Sequence, residues 1–350
     1  MRPPVSVVVV SWNGRPLLER LLPALAAQTF RDFELVAVDN GSTDGSAELV
    51  ERLWPEARVL RAGVNLGFAR GSNVGIGLAR GQLLALLNND CLPEPAWLER
   101  AVAAADASGA GMVATRQLRA EDPRTIDSAG VALDRAAIAW DRGGGCDAGT
   151  PEAALPPLFG PSGGAALYRR DLLEDVGTFD AELGMYYEDV DLAWRARLRG
   201  WGCAAAPGAL ALHLGSASGG RNSPRKRFLL ARNKLWVAAK CYPSEALRRY
   251  LAAMVLYDAA AAVAYATASP PRAVGPEARR AALAGRLAGL RGLPRQLAKR
   301  RAIQARRTAS ADDVLRAMAS LEPPWRAGRR FAHLPEAVSS LAGRDWPWAR

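Results

Sequence analysis

The chain has 350 residues, of which 49% are hydrophobic and 23% charged, and its formal net charge is +11. A chain of this length and apolar content can bury a full core, so we expect a large domain plus an appendage. Its four cysteines have neither disulfide-framework nor zinc spacing, which excludes a small disulfide-stapled fold and indicates a reducing compartment.

The first predicted elements form a strand, a helix and a second strand. Residues 4–10 are a β-branched run typical of a strand buried on both faces of a parallel sheet, and polar residues follow it. Residues 17–26 have a helical apolar pattern, and the apolar residues 36–38 end at Asp39. This is a βαβ unit whose strand ends suit a nucleotide, although the residues after Asp39 also fit an ordinary turn and helix cap.

A third strand with a polar end is predicted farther along. Residues 63–73 precede a Gly/Ala-rich helix, and the apolar strand at 83–87 runs into Asn88, Asn89 and Asp90. A carboxylate at a strand end can hold Mg²⁺ or Mn²⁺ in a phosphate-handling site, while the alternative is a simple turn. The chain has no Gly-x-Gly-x-x-Gly after the first strand and no Walker lysine, which disfavours dinucleotide dehydrogenases and P-loop enzymes.

Taken in order, these motifs resemble those of family-two glycosyltransferases with the GT-A fold, most closely the rhamnosyltransferase-like branch. The matching segments are residues 11–13, 39–44, 65–68, 73, 88–90 and 188–191, and the resemblance spans residues 4–240. It implies an α/β fold with a Rossmann-like, mixed nucleotide-binding sheet. The family motif often begins with Asp where this chain has Asn88, so Asp90 is the charged residue of the motif here.

The resemblance also implies a set of donor-binding residues and a metal site. The residues expected to contact the nucleotide-sugar are Ser11, Asn13, Asp39, Asn65, Asn73 and Asn89. Asp90 is expected to bind Mg²⁺ or Mn²⁺, and His213, which follows the apolar strand at 209–212, is expected to complete that site. The alternative for His213 is a structural hydrogen bond at a strand end.

The second half of the chain supplies a candidate catalytic base. An acceptor hydroxyl must lose its proton as it attacks the anomeric carbon, and Asp189 is the carboxylate that we predict to accept it. Glu188 and Asp191 are predicted to support it, although acids in a first helical turn also complement the helix dipole without any catalytic role. Gly163 and Gly164 are predicted to clear space beside the donor sugar and the acceptor, the alternative being a strand with a glycine bulge.

The composition changes after residue 242. We therefore predict a GT-A domain at 1–242, with a nucleotide-sugar half at about 1–105 and an acceptor half at 106–242, followed by a helical basic extension at 243–350. Residues 247–268 are apolar but interrupted by Asp258, and residues 279–307 are densely basic, so we expect a packed or interfacial helix rather than a membrane span. A solvated helical bundle remains the alternative.

The predicted function is inverting sugar transfer from dTDP-rhamnose or a UDP-sugar to a glycan or polyprenyl-diphosphate-linked acceptor in cell-surface polysaccharide synthesis. No signal peptide is recognised, so we expect a cytoplasmic enzyme in peripheral contact with the anionic inner face of the membrane. The basic residues Arg221, Arg225, Lys226 and Arg227 could steer a diphosphate or form a solvated face. One alternative is a sugar nucleotidyltransferase, but this chain lacks the Gly-rich basic loop of such an enzyme. The other is a nucleic-acid-binding protein, but the chain has no recognised DNA- or RNA-binding motif, so no nucleic acid partner is expected.

Overall fold

The computed structural model describes residues 3–215, 223–267 and 275–323. The prediction made for Arg221 lies outside these residues. The strands are β1 (Val5–Ser11), β2 (Phe33–Asp39), β3 (Arg58–Arg61), β4 (Leu83–Asn88), β5 (Cys91–Pro93), β6 (Met112–Arg119), β7 (Asp122–Ser128), β8 (Val131–Leu133), β9 (Ala139–Asp141), β10 (Ala165–Arg169) and β11 (Cys203–His213). The helices are α1 (Arg15–Ala26), α2 (Ser46–Leu53), α3 (Phe68–Leu78), α4 (Trp97–Ser108), α5 (Arg170–Val176), α6 (Glu188–Leu198), α7 (Pro224–Cys241), α8 (Ser244–Thr267), α9 (Pro276–Ala305) and α10 (Ala311–Arg316), with a 3₁₀ turn at Glu152–Ala154.

One mixed sheet organises the first part of the chain. Within the described residues it has nine strands in the order β3-β2-β1-β4-β10-β6-β11-β5, and β7 pairs with β6 off this path. Strands β3, β2, β1 and β4 are parallel, β10 is antiparallel to both β4 and β6, and β11 is parallel to β6. The predicted mixed α/β architecture is confirmed.

The β-branched strand β1 lies at the centre of the parallel part, and its side chains are buried on both faces, as expected for such a composition. Helix α3 packs very close to it. A Cβ on Gly75 would lie 2.4 Å from Cγ1 of Val8, which explains a glycine inside a helix. The helix begins at Phe68, earlier than predicted, so Asn73 lies within α3 rather than before it.

Two residues connect distant parts of the sheet. Only Asn89 and Asp90 separate β4, in the middle of the sheet, from β5, which pairs with β11 at the far end of the strand order. The Leu214 N–H donates to the Asp90 carbonyl at 2.8 Å, and His213 is the register partner of Cys91. Strand β11 runs the full length from Cys203 to His213, longer than predicted, with an irregular register to β6 in its middle. The link between β4 and β5 therefore brings Asp90 to the end of β11.

The chain divides into two compact units, one formed by Met1–Val131 with Asp141–Gly215 and the other by Ala132–Trp140 with Ser216–Arg350. Helix α7 groups with the second unit, and the functional domain boundary at residue 242, like the division near 105, stays a prediction. In the second unit, Tyr242 donates its hydroxyl to the Arg135 carbonyl at 2.9 Å, so the short segment 132–140 is bonded to the helical part.

Helices α7 and α9 are closely packed, and glycines of α9 lie directly against α7. A Cβ on Gly285 would lie 2.3 Å from the Phe228 carbonyl oxygen. Asp258 of α8 lies 3.4 Å from Lys234 of α7 and 3.7 Å from Arg286 of α9, so the acid that interrupts the apolar stretch pairs with bases of this unit. Among the described helices, none has a stretch long and apolar enough to cross a bilayer.

Candidate active site

Ser11 and Asp39 end two adjacent parallel strands and are register partners. The Asn40 N–H donates to the Ser11 carbonyl at 2.7 Å, and the Asp39 carboxylate accepts the Ser42 N–H at 3.3 Å. Both residues border a small recess that is otherwise lined mainly by apolar side chains, including those of Val50 and Val59. A carboxylate at the carboxyl end of a parallel strand can accept hydrogen bonds from a ribose or a base.

Asn13 ties the ends of β1 and β2 together. Its backbone has a φ of 47°, in the left-handed region that asparagine tolerates. The Asn13 N–H donates to Oγ of Ser42 at 2.9 Å, and its Oδ1 accepts the Thr43 N–H at 2.8 Å. Asn13 therefore shapes the loop at the edge where Ser11 and Asp39 lie.

Asn65 and Asn73 bond to backbone and side-chain groups of neighbouring segments. Oδ1 of Asn65 accepts from the Gly67 N–H at 2.9 Å and from Nδ2 of Asn40 at 3.2 Å. The Asn73 carboxamide bonds both peptide groups of Phe179, donating at 2.8 Å and accepting at 3.0 Å. These bonds hold the loop before α3 and the segment at Phe179, and the contacts of both asparagines with a donor stay predictions. The Asn40 side chain bonds both Asn65 and the Leu66 N–H, a role in this loop that was not predicted.

Asn89 and Asp90 lie where β4 ends, beside the end of β1. Nδ2 of Asn89 donates to Oγ of Ser11 at 2.9 Å, so two predicted donor-binding residues are in direct contact. Asp90 is buried, and its Oδ2 lies 3.6 Å from Nε2 of His213. The structure thus brings together the strand-terminal residues that the sequence placed on one sheet edge.

His213 lies between two carboxylates. Its Nδ1 is 2.6 Å from Oδ2 of Asp127, a residue of β7 that sequence reasoning missed, because nothing local in an exposed-looking polar strand marks it. Burial disfavours a charged imidazole, but the hydrogen bond with Asp127 and the nearby carboxylate of Asp90 outweigh it and raise the pKa of His213 to about 10.

Asp90, Cys91 and His213 each offer a ligand atom, and these atoms lie within 4.8 Å of one another. Two adjacent ligands about 2.1 Å from one octahedral ion are about 3 Å apart, so the 3.6 Å between the Asp90 carboxylate and the His213 imidazole would shorten when both bind one ion. Cys91 fits poorly, because burial and the charges of Asp90 and Asp127 raise the pKa of its thiol well above the ordinary value and hard cations prefer oxygen. The donor set therefore suits a hard divalent ion held by Asp90 and His213.

Asp189 begins the acidic turn of α6, and backbone groups hold its carboxylate. Oδ2 accepts the Gly163 N–H at 3.1 Å, and Oδ1 accepts the Val190 N–H at 2.7 Å. Burial raises the pKa of Asp189, and these two hydrogen bonds only partly offset that effect. A desolvated carboxylate of raised pKa is a competent proton acceptor.

The neighbouring acids of α6 differ in environment. Glu188 is buried, and burial together with the charge of Asp189 holds its pKa well above the usual range; within the described part of the chain its Oε2 has no hydrogen-bond partner. Asp191 is fully buried and pairs at 2.9 Å with Arg195, one turn later in the same helix. Tyr186 and Tyr187, just before the helix, have φ values of 66° and 68°, which is strained backbone for bulky residues at a candidate site.

Gly163 and Gly164 lie between the end of β4 and the start of α6. The Asn88 N–H donates to the Gly164 carbonyl at 2.8 Å, while the Gly163 N–H donates to Asp189. A Cβ on Gly164 would lie 2.4 Å from Oε1 of the buried Gln117, so a side chain has no room there. The glycine pair joins the end of β4 to the start of α6.

The description "glycosyl transferase family 2" belongs to a family model that matches residues 6–177. The chain is 30% identical over 240 residues to an N-acetylglucosaminyl-diphospho-decaprenol L-rhamnosyltransferase of Mycobacterium tuberculosis, a match that covers 62% of this chain and 78% of that protein. The chain belongs to glycosyltransferase family 2. The resemblance to this family that its sequence motifs indicate is confirmed, and the activity of this family member is glycosyl transfer.

Two solved structures share the fold of this family 2 glycosyltransferase. A mannosyltransferase from Pyrobaculum calidifontis, in complex with GDP-Man and Mn²⁺, has a TM-score of 0.52 and 22% identity, over 87% of this chain and 85% of that chain. Residues 1–349 of TarS from S. aureus give a TM-score of 0.51 and 18% identity, over 87% of this chain and 90% of that chain. The predicted GT-A fold with a helical C-terminal part is confirmed.

Proposed function

We propose that this glycosyltransferase moves a sugar, with inversion of its anomeric carbon, from a nucleoside-diphosphate sugar to a hydroxyl of a lipid-linked glycan. The observation that carries the proposal is the hydrogen-bonded path from Asn88 through Gly164 and Gly163 to Asp189. It joins the strand end that precedes Asn89 and Asp90 to a helix start that holds the half-buried carboxylate of Asp189. Inversion needs one carboxylate as base and a separate group for the leaving phosphate, and the two ends of this path are where we propose them to lie.

The nucleoside is proposed to lie at the ends of β1 and β2. The Asp39 carboxylate, at the end of β2, would accept a hydrogen bond from the base or the ribose. Asn89, which already donates to Ser11, would face the ribose or the first phosphate. These assignments extend the predicted donor set to particular atoms.

Asp189 is proposed to act as the general base. The acceptor oxygen attacks the anomeric carbon and its proton passes to Asp189, while the bond from that carbon to the phosphate oxygen breaks and nucleoside diphosphate departs. The backbone N–H groups of Gly163 and Val190 orient the carboxylate, so it needs little reorganisation when it accepts the proton.

Asp90 and His213 are the residues proposed to hold a divalent ion, Mg²⁺ or Mn²⁺. Such an ion, when bound, would neutralise the charge that develops on the departing diphosphate. The Pyrobaculum mannosyltransferase was solved in complex with Mn²⁺, which supports a divalent ion, and the oxygen and imidazole donors present here fit either metal.

The donor is proposed to be dTDP-rhamnose and the acceptor a sugar on a polyprenyl diphosphate. The name of the Mycobacterium tuberculosis relative supports this pairing, and it suits an enzyme of cell-surface polysaccharide synthesis. A UDP-sugar is the second donor to test.

The test uses the purified full chain, Mn²⁺ or Mg²⁺, and a panel of dTDP-rhamnose, UDP-sugars and GDP-mannose with N-acetylglucosaminyl-diphospho-polyprenol. We expect transfer from dTDP-rhamnose, detected by mass spectrometry, and a product whose anomeric configuration by NMR is opposite to that of the donor. Retention of configuration would overturn the single displacement, and transfer from another nucleotide-sugar alone would overturn the donor assignment.

The helical unit is proposed to contact an anionic lipid surface at the inner face of the cytoplasmic membrane. Helix α8 exposes apolar side chains along one side, with Leu251 49% and Val255 60% exposed, and α9 exposes Leu287, Leu290 and Leu297. Exposed arginines of α9, including Arg280 and Arg291, and the net charge of +11 complement anionic lipid. Such contact would keep the enzyme near a polyprenyl-linked acceptor.

A further inference from the structure

Asp127 is a partner of His213 that no motif of the chain indicates. Its Oδ2 lies 2.6 Å from Nδ1 of His213, and Nε2 of the same ring lies 3.6 Å from Oδ2 of Asp90. The imidazole therefore spans two carboxylates through its two nitrogens. Nε2 is therefore the nitrogen that faces Asp90, and Asp90 is a proposed metal ligand.

The backbone of β7 places Asp127 where it can reach this ring. In the pairing of β7 with β6, Ser128 is opposite Gln117 and Ile126 is opposite Leu118, so Asp127 is an extra residue on β7. This is a β-bulge, a device that re-aims a side chain beside a site.

Strand β6 separates Asp127 from His213 in the sheet. Gln117 of β6 pairs with Ser128 on one edge and with Ala211 of β11 on the other. The Asp127 and His213 side chains consequently meet across β6, and this contact depends on the register of two different strand pairs. Arg119 of β6 lies 3.7 Å from the other oxygen of Asp127.

We propose that Asp127 is a positioning residue that holds His213 with its proton on Nδ1 and the lone pair of Nε2 directed toward the ion at Asp90. The inference rests on the proposed metal site and adds a residue to it. A histidine that ligates a metal commonly donates its other N–H to a carboxylate, which fixes the tautomer and the ring orientation and raises the basicity of the ligating nitrogen. Asp127 meets the geometric requirement for this role.

The first measurement is Mn²⁺ affinity of the full chain without donor, by EPR titration of free Mn²⁺. We expect Asp127→Ala to weaken binding about 10- to 100-fold, the size of effect typical for such partners. Asp127→Asn should lose less, because its carboxamide oxygen can still accept the Nδ1 proton. Asp122→Asn is the matched control: it removes the same charge from the same strand, where Asp122 pairs with Thr125 and Arg124 instead of His213.

The second measurement reads the proton position directly. The chain has two histidines, His213 and His333, so ¹⁵N-histidine labelling with a His333→Gln variant assigns the His213 ring by NMR. In Mg²⁺-loaded protein we expect a proton on Nδ1 in the unsubstituted chain and loss of that fixed signature in Asp127→Ala. An unfolded variant would lose this signature too, so the folding of each variant is checked by circular dichroism. Asp127→Asn, which should keep the Nδ1 proton, is measured beside the alanine variant.

The outcomes separate the two claims. If the unsubstituted chain binds Mn²⁺, His213→Ala does not, and Asp127→Ala binds as well as the unsubstituted chain, Asp127 has no positioning role and the metal site stands. If His213→Ala binds Mn²⁺ with unchanged affinity, the metal site proposed at Asp90 and His213 is wrong and the role of Asp127 is overturned with it.

Discussion

The backbone N–H of Gly163 donates a 3.1 Å hydrogen bond to Oδ2 of Asp189, so the loop before β10 directly orients a carboxylate in the first turn of α6. The second oxygen accepts the Val190 N–H at 2.7 Å. A carboxylate with both oxygens held by backbone groups has one available orientation, which suits a group that must accept a proton from one direction.

Asp189→Asn should reduce kcat about 10² to 10⁴-fold, the usual effect of losing a general base, because the amide cannot accept the acceptor proton. The variant keeps the shape of the side chain, so the dissociation constant of the nucleotide-sugar should change only a few-fold. Steady-state kinetics and isothermal titration measured together test this. A kcat close to that of the unsubstituted enzyme would remove Asp189 from the mechanism.

The rate should depend on pH through the Asp189 carboxylate. The ionised form is the base, so kcat/KM should fall as the pH decreases through the pKa of Asp189, which burial holds above the value of about 3.9 for an ordinary aspartate. Rates are measured at saturating Mn²⁺, so that metal loss does not contribute. Burial and the charge of Asp189 hold the pKa of Glu188 well above the usual range, and Glu188→Gln should keep this acidic limb if Asp189 is the base. Loss of the limb in Glu188→Gln would identify Glu188 as the base instead.

Asp90→Ala and His213→Ala should each weaken Mn²⁺ binding, and the double variant should lose less than the sum of the two changes in binding free energy, because both ligands serve one ion. Removal of metal by a chelator should abolish transfer, and added Mn²⁺ should restore it. Strictly additive effects, or transfer that persists with excess chelator, would contradict a shared ion at these residues.

Gly164→Ala and Gly163→Ala should differ although the residues are adjacent. The new methyl group at 164 would lie 2.4 Å from the Gln117 side chain, an overpacking expected to destabilise the fold by about 1 to 3 kcal/mol. At 163 the nearest atoms, in Glu188 and Phe68, are 3.6 Å away, so the midpoint of thermal unfolding should stay near that of the unsubstituted chain. Adding Gln117→Ala should recover part of the loss in Gly164→Ala. Equal unfolding midpoints for the two alanine variants would contradict the steric argument.

Binding to anionic vesicles should decrease steeply with salt, because each basic residue near the surface contributes about 1 kcal/mol and the attraction is screened over about 8 Å at physiological ionic strength. Flotation should be reduced for Arg280/Arg291/Arg301→Gln and for Leu251/Val255/Leu256→Ser. Arg286 is kept because it pairs with Asp258 inside the unit.

The matched control for charge is Arg20/Arg31/Arg52→Gln, which removes the same number of exposed arginines from the first unit. It should float like the unsubstituted chain. Equal loss in the control and in the α9 variant would indicate a nonspecific charge effect, and salt-resistant flotation would contradict a peripheral electrostatic contact.

Several site positions were predictable because they follow directly from local pattern. A run such as β1, buried on both faces, identifies a central parallel strand, and the carboxyl ends of such strands meet at one edge, where the structure has Ser11 and Asn89 in contact. The boundaries were less accurate. Helix α3 begins at Phe68 and includes glycines such as Gly75 that pack closely on β1, a tertiary contact that the local pattern does not show.

The sequence by itself determined the family, the parallel half of the sheet and the residues that end its strands. Continuous apolar runs and the polar residues that follow them are local patterns that can be recognised from residue type alone. The tertiary structure alone decided that His213 contacts both Asp90 and Asp127. That contact requires the short link from β4 to β5, the pairing of β11 with β6 and a bulge in β7. Each is a register between segments far apart in the chain, and register depends on long-range packing that no local pattern encodes.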